Sequence, residues 1–183
     1  MKAFCFCCIL TVCTINLFSQ ETSFPVDANT GRLLYSEVVR VDSVNSQELY
    51  VRAHSWIARS FNSANNVIQL DDKAAGMIVV KGVFAVKDNV VNPTMMDVSL
   101  SGTVDFTLEI QTRDGRYKYI ITDLVFKLLG QREYDLRSST ISVGGFYKTK
   151  TNMRWLELRQ NTDATILRII ESLRQAMTTS EEW

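Results

Sequence analysis

"TVDFTLEIQTRDGRYKYIITDLVFKLL", residues 103–129, decides the fold. The first ten residues alternate, with Val104, Phe106, Leu108 and Ile110 on one side and Thr103, Asp105, Thr107, Glu109 and Gln111 on the other. A period of two marks a half-buried β-strand, because successive side chains point to opposite faces. Asp114-Gly115 separates this run from a second one, which is a two-residue hairpin signal. With that turn Arg113 faces Arg116, and the pairs run Ile110–Tyr119, Leu108–Ile121 and Phe106–Asp123. Opposed residues share a face, so the third pair would set a carboxylate under apolar cover. Past Asp123 the apolar alternation moves to Leu124, Phe126 and Leu128. A one-residue slip turns every side chain over, so the spacing predicts a β-bulge near Ile121–Asp123.

Upstream, "RLLYSEVVRVDS" (32–43) is rich in β-branched residues and reads as a strand. "NSQELYVRAHSWIARSF" (45–61) brings Leu49, Ala53, Trp56 and Ile57 to helical spacing. Asn45 followed by Glu48 resembles a capping box, which starts the helix there. The Asn/Ser cluster at 62–66 ends it. Residues 67–88 give a short strand, a turn and a longer strand, and 88–99, with Asn92-Pro93, read as a loop. Residues 130–150, with Gly144-Gly145, read as loop with room for one short strand. "TDATILRIIESLRQAM" (162–177) repeats Ile166, Ile169, Ile170, Leu173 and Met177 as an amphipathic helix, with Thr162 as N-cap or a start nearer Trp155.

The order is β-α-β-β-β-β-α, an α+β class: an antiparallel sheet with one face buried under two helices. One domain spans 32–178, after a flexible lead-in at 20–31 and before a tail at 179–183. This topology matches half of a TATA-binding-protein-like (TBP-like) fold, with a helix-grip arrangement as the alternative.

The first nineteen residues read as a signal peptide. "CFCCILTVC" (5–13) holds all four cysteines, too close together to staple a domain or to form zinc-ligand pairs. Lys2, an apolar run from Ala3 to Ile15 and small Ser19 make the three-part export pattern, and the run is too short to span a membrane. The expected location is the periplasm or the cell surface, with a mature start at Gln20. The alternative is lipid anchoring at Cys13, since "LTVC" faintly resembles a lipobox. No transmembrane segment is expected in the mature chain.

"ELYVRAHSWIARSF", "VIQLDDKAAGMIVVKG" and "VDFTLEIQTRDGRYKYIITD" together resemble a family of exported Bacteroidetes proteins, a domain of unknown function with a TBP-like fold. The resemblance covers about 33–128. It implies the fold and export, and no activity, substrate or catalytic residue.

The residues themselves offer little chemistry. His54 is the single histidine and lies off the helical stripe, which reads as a surface position. Asp71-Asp72 read as a charged turn with too few oxygens for calcium. No G-x-S-x-G or phosphate-cradling glycine loop occurs. Arg113, Arg116 and Lys118 form a small basic tip on the hairpin, read as a solvated turn, with an anionic ligand or partner as the alternative. Trp56 and Trp155 read as core aromatics. No catalytic residue, cofactor or metal is expected. The reading is an exported non-catalytic binding or structural module of the cell envelope. Its partner-binding face is the open side of the sheet: Asp105, Thr107, Glu109, Gln111, Lys118, Ile120 and Thr122. The partner class is protein or glycan and not nucleic acid, since the charge is near zero. The alternative is a periplasmic hydrolase built from dispersed carboxylates such as Asp105 and Glu109.

Overall fold

The computed structural model describes residues 24–61, 64–87, 100–128, 132–138 and 148–179. Residues 1–19, read above as a signal peptide, residues 88–99, read as a loop, and Gly144-Gly145 lie outside the described residues. Strand β1 (Tyr35–Arg40) leads into helix α1 (Ser46–Ser60), a single helical turn α2 (Ala64–Val67) and strands β2 (Ile68–Asp72) and β3 (Met77–Lys87). The long hairpin β4 (Ser101–Arg113) and β5 (Arg116–Leu128) follows, then β6 (Arg132–Asp135) and α3 (Lys148–Thr178). All pairings are antiparallel, in the order β1-β5-β4-β3-β2, and β6 also pairs with β5. The expected order therefore holds, with α2 and β6 added.

Helix α1 starts where Asn45 predicts. The Asn45 side chain accepts from the Glu48 backbone N–H at 2.8 Å, satisfying one of the free donors of the first turn. Leu49, Ala53, Trp56 and Ile57 are buried against the sheet and α3. Helix α3 begins 14 residues before Thr162, which is a correction to the N-cap reading. Thr162 is fully buried in mid-helix and donates to the Leu158 carbonyl at 2.8 Å. The earlier turns are polar in sequence, but Trp155 packs between Phe126 and Tyr134 and donates to the Ser138 carbonyl at 2.8 Å. Tertiary burial, not local periodicity, extends the helix.

The described part of the lead-in is not loose. Phe24 is buried with the Arg159 guanidinium 5.2 Å above its ring, and Val26 bridges to Leu33. An Asx turn, in which Asp27 accepts from the Asn29 and Thr30 backbone, sets this segment against the domain.

The hairpin register matches the sequence. Ile110 pairs with Tyr119, Leu108 with Ile121 and Thr107 with Thr122, and the next pair is Asp105 with Val125. Asp123 and Leu124 together oppose Phe106, which is the expected bulge. Asp123 takes a left-handed φ of 54°, its side chain faces solvent, and Leu124 is buried in its place. The bulge falls where the neighbour of β5 changes from β1 to β6.

Candidate functional site: the uncovered sheet face

Both long helices lie on one side of the sheet. Along β4 the helix-facing residues from Gly102 to Thr112 are buried, and Ser101, Thr103, Asp105, Thr107, Glu109 and Gln111 alternate with them, half-exposed. Lys118, Ile120 and Thr122 of β5 share this second face through their pairing with Gln111, Glu109 and Thr107. All seven sequence-derived site residues thus lie on one continuous surface.

Their polar groups are partly committed. Lys127 Nζ lies 2.7 Å from Asp105 and 3.6 Å from Glu133, and its hydrogen bond to Asp105 raises the lysine pKa. The Gln111 amide donates to Glu109. Thr122 donates to the Leu33 carbonyl at 3.3 Å. Asp105 and Glu109 therefore turn to different partners, Lys127 on β5 and Gln111 on their own strand. A four-residue separation on a strand spans about 13 Å between Cα atoms, and no observation joins the two carboxylates around a common centre.

The face carries more apolar area than the hairpin alone suggests. β3 contributes Met77, Val79, Val83 and Ala85, and β1 contributes Ser36 and Val38. Val83 is 60% exposed and Val38 55%. These residues were not assigned from sequence because the partners of β4 and β5 were not known from it.

A second feature is cationic, and Arg40 is the part of it not assigned from sequence. Arg116 pairs with Arg113 of β4 on one side and with Arg40 of β1 on the other. Three arginines therefore stand in one row across three strands, and all are exposed. Lys118 is one step further along, between Val38 and Gln111. The basic tip thus continues across the sheet edge into β1 through Arg40. The turn beneath is pinned. Val41 N–H donates to the Gly115 carbonyl at 2.9 Å, and Gly115 N–H to Val44 at 2.8 Å. Ser46 N–H donates to Asp114 Oδ1 at 2.7 Å, which holds the Asp114 carboxyl below its usual range. Gly115 alone supplies the positive φ, 71°.

On the helix side, Asp71 belongs to β2 and not to a turn. Its carboxylate accepts from the Tyr50 hydroxyl and lies 3.2 Å from His54 Nε2. Burial, then Asp71, pushes the Tyr50 phenol up to about 12. His54 is half-exposed. Asp72 accepts from the Ala75 N–H at 2.9 Å and shapes the β2–β3 turn. Among the described residues no group of three His, Cys, Asp or Glu could hold a metal ion, and no helix is long and apolar enough to cross a membrane.

Comparison with known proteins follows this geometry. The model of a family described as "Domain of unknown function (DUF4468) with TBP-like fold" matches residues 35–127, from the start of β1 into β5. A crystal structure of a DUF4468 family protein from Bacteroides ovatus superposes with a TM-score of 0.63 at 12% identity, covering 86% of this chain and 93% of that one. A TBP-like protein from Parabacteroides distasonis gives 0.62 at 16% identity, covering 85% of this chain and 99% of that one. At such identities the likeness concerns the fold alone. No curated protein matches.

Proposed function

The chain belongs to the DUF4468 family, with its TBP-like fold, and from that premise we propose an exported, non-catalytic binding module of the cell envelope. The observation that carries this reading is the uncovered sheet face. It is built on a long paired hairpin, so its side chains are held in fixed register, and threonine, carboxylate and aliphatic groups alternate across it. Such a surface suits a protein or glycan partner, which needs hydrogen-bonding groups beside small apolar patches. Nucleic acid fits less well. A DNA saddle needs basic residues for the phosphates and apolar wedges to unstack bases, whereas here Asp105 and Glu109 stand mid-face and Lys127 is engaged by Asp105.

Export rests on the Lys2, apolar and Ser19 pattern. Intact mass of the native protein should give a chain starting at Gln20, and an acylated Cys13 start would replace periplasmic release with a lipid anchor. For the face, Thr107→Arg and Glu109→Arg should keep the melting temperature and abolish crosslinking to an envelope partner. Crosslinking unchanged by both would overturn the assignment of this face. Duplex DNA at about 0.15 M salt should show no saturable binding.

A further inference from the structure

We infer that Arg40, Arg113, Arg116 and Lys118 form a site for a phosphate-bearing ligand at the hairpin end of the sheet. The inference rests on the binding-module reading and narrows it to one chemistry. Directly opposed residues have Cβ atoms about 4.5–5.5 Å apart, so like charges in this arrangement repel. The row places three arginines in consecutive opposition. Four other cations at or beside the sheet meet carboxylates: Lys127 with Asp105, Arg32 with Asp123, Arg137 with Asp135 and Arg174 with Glu37. Three of the acids near the hairpin end are turned elsewhere. Asp114 accepts from Ser46, Glu109 accepts from Gln111, and Glu37 lies on the helix side with Tyr119 and Arg174. Among the described residues, nothing forms an ion pair with the row.

Three of the four cations also share a cavity, with Arg40 beside it in the row. Arg113, Arg116 and Lys118, with Gln111 and Val38, line a recess of about 300 Å³. The pinned turn fixes their backbones, so the site is assembled before any ligand arrives. A carboxylate offers one charge and two oxygens and can occupy a single guanidinium fork. A phosphate monoester carries close to two charges and three acceptor oxygens, and can bridge several forks at once. Val38 and Ile120 supply an apolar shelf beside it, so the phosphate can come from a lipid headgroup or from a soluble phosphorylated compound.

The test uses the full-length mature chain with inorganic pyrophosphate as probe, followed by calorimetry. Saturable binding is expected, weakened about tenfold or more in the Arg113→Gln/Arg116→Gln double variant and unchanged in Lys81→Gln, whose lysine stands on the same face outside the row. Pyrophosphate should raise the melting temperature of the wild type and not of the double variant. Phosphatidic acid vesicles, with phosphatidylcholine as control, identify the source. Arginine-dependent vesicle binding assigns a lipid headgroup, and pyrophosphate binding without it assigns a soluble ligand. The inference fails if neither probe binds, if the double variant binds as the wild type does, or if an oligoglutamate binds more tightly than pyrophosphate. Failure here with Thr107→Arg still blocking the partner would remove the phosphate site and leave the wider face in place.

Discussion

Gly82 stands directly across the β3–β4 ladder from Phe106, and the Phe106 ring fills the space that a Cβ at Gly82 would need. The Phe61 ring lies 2.9 Å from the same point. A glycine inside a strand ordinarily weakens it, through entropy and the missing side chain. Here the gap lets Phe61, Phe84 and Phe106 cluster under the end of α1.

Gly82→Ala should therefore destabilise the domain by about 1–3 kcal/mol, the usual cost of overpacking. Chemical denaturation would measure it. In a Phe106→Leu background the same substitution should cost less than it does alone. Equal costs in both backgrounds would show that the two positions are not coupled.

Asp123 offers a second test. Its left-handed φ carries the whole bulge, and aspartate is one of the few residues apart from glycine that enter this region readily. Asp123→Val should cost about 1–2 kcal/mol, since a β-branched residue is strained there. Asp123→Gly should stay within about 0.5 kcal/mol of wild type, because its freedom at φ above zero offsets the greater entropy of the unfolded chain. A well-tolerated valine would mean that β5 can pair without the bulge.

What the sequence disclosed divides along the range of the interactions. The hairpin register, the bulge and the Asn45 cap depend on residues close in the chain, and their spacing alone states them. The start of α3 depends on Trp155 meeting Phe126 and Tyr134, contacts made across distant segments. The arginine row shows the same division in one feature. Arg113 and Arg116 are visible as a pair across a two-residue turn, but Arg40 joins them only because β1 lies beside β5. Order along the chain does not disclose that adjacency. Asp71 was misread for a related reason: two adjacent acids beside a turn look solvated until α1 places Tyr50 and His54 against one of them.

Alkaline pH should destabilise the protein through its buried tyrosines. Burial pushes Tyr117 up to about 12, and burial followed by the Glu37 contact does the same for Tyr119. Tyr50 is likewise raised to about 12. In the unfolded chain each loses its proton near pH 10. Between about pH 10 and 12 the folded state holds more protons than the unfolded one, so stability falls as pH rises. Denaturation midpoints should be level below pH 9–10, an interval set by the same reference value, and decline above it. Tyrosinate absorbance should rise with the loss of structure. Phenols that ionise near pH 10 in the intact fold would contradict this.

The last prediction concerns the row itself, without any ligand. If Arg40, Arg116 and Arg113 repel across the sheet, the central residue bears two such contacts and removing its charge relieves both. Arg116→Gln should then stabilise the free protein by a few tenths to about 1 kcal/mol, and Arg116→Glu by more, since it turns two repulsions into two attractions. Screening must act in the same sense. Added salt should stabilise the wild type relative to Arg116→Gln, and the gap should close between about 0.05 and 0.5 M as the Debye length shrinks below the spacing of the row. Arg113→Gln, at the end of the row, removes one contact and should give the smaller gain. Denaturation of the three variants at both salt concentrations would read this directly. A destabilised Arg116→Gln, or a difference that grows with salt, would mean that the guanidinium groups splay apart or find partners within the fold, and the case for an anion at this site would lose its electrostatic basis.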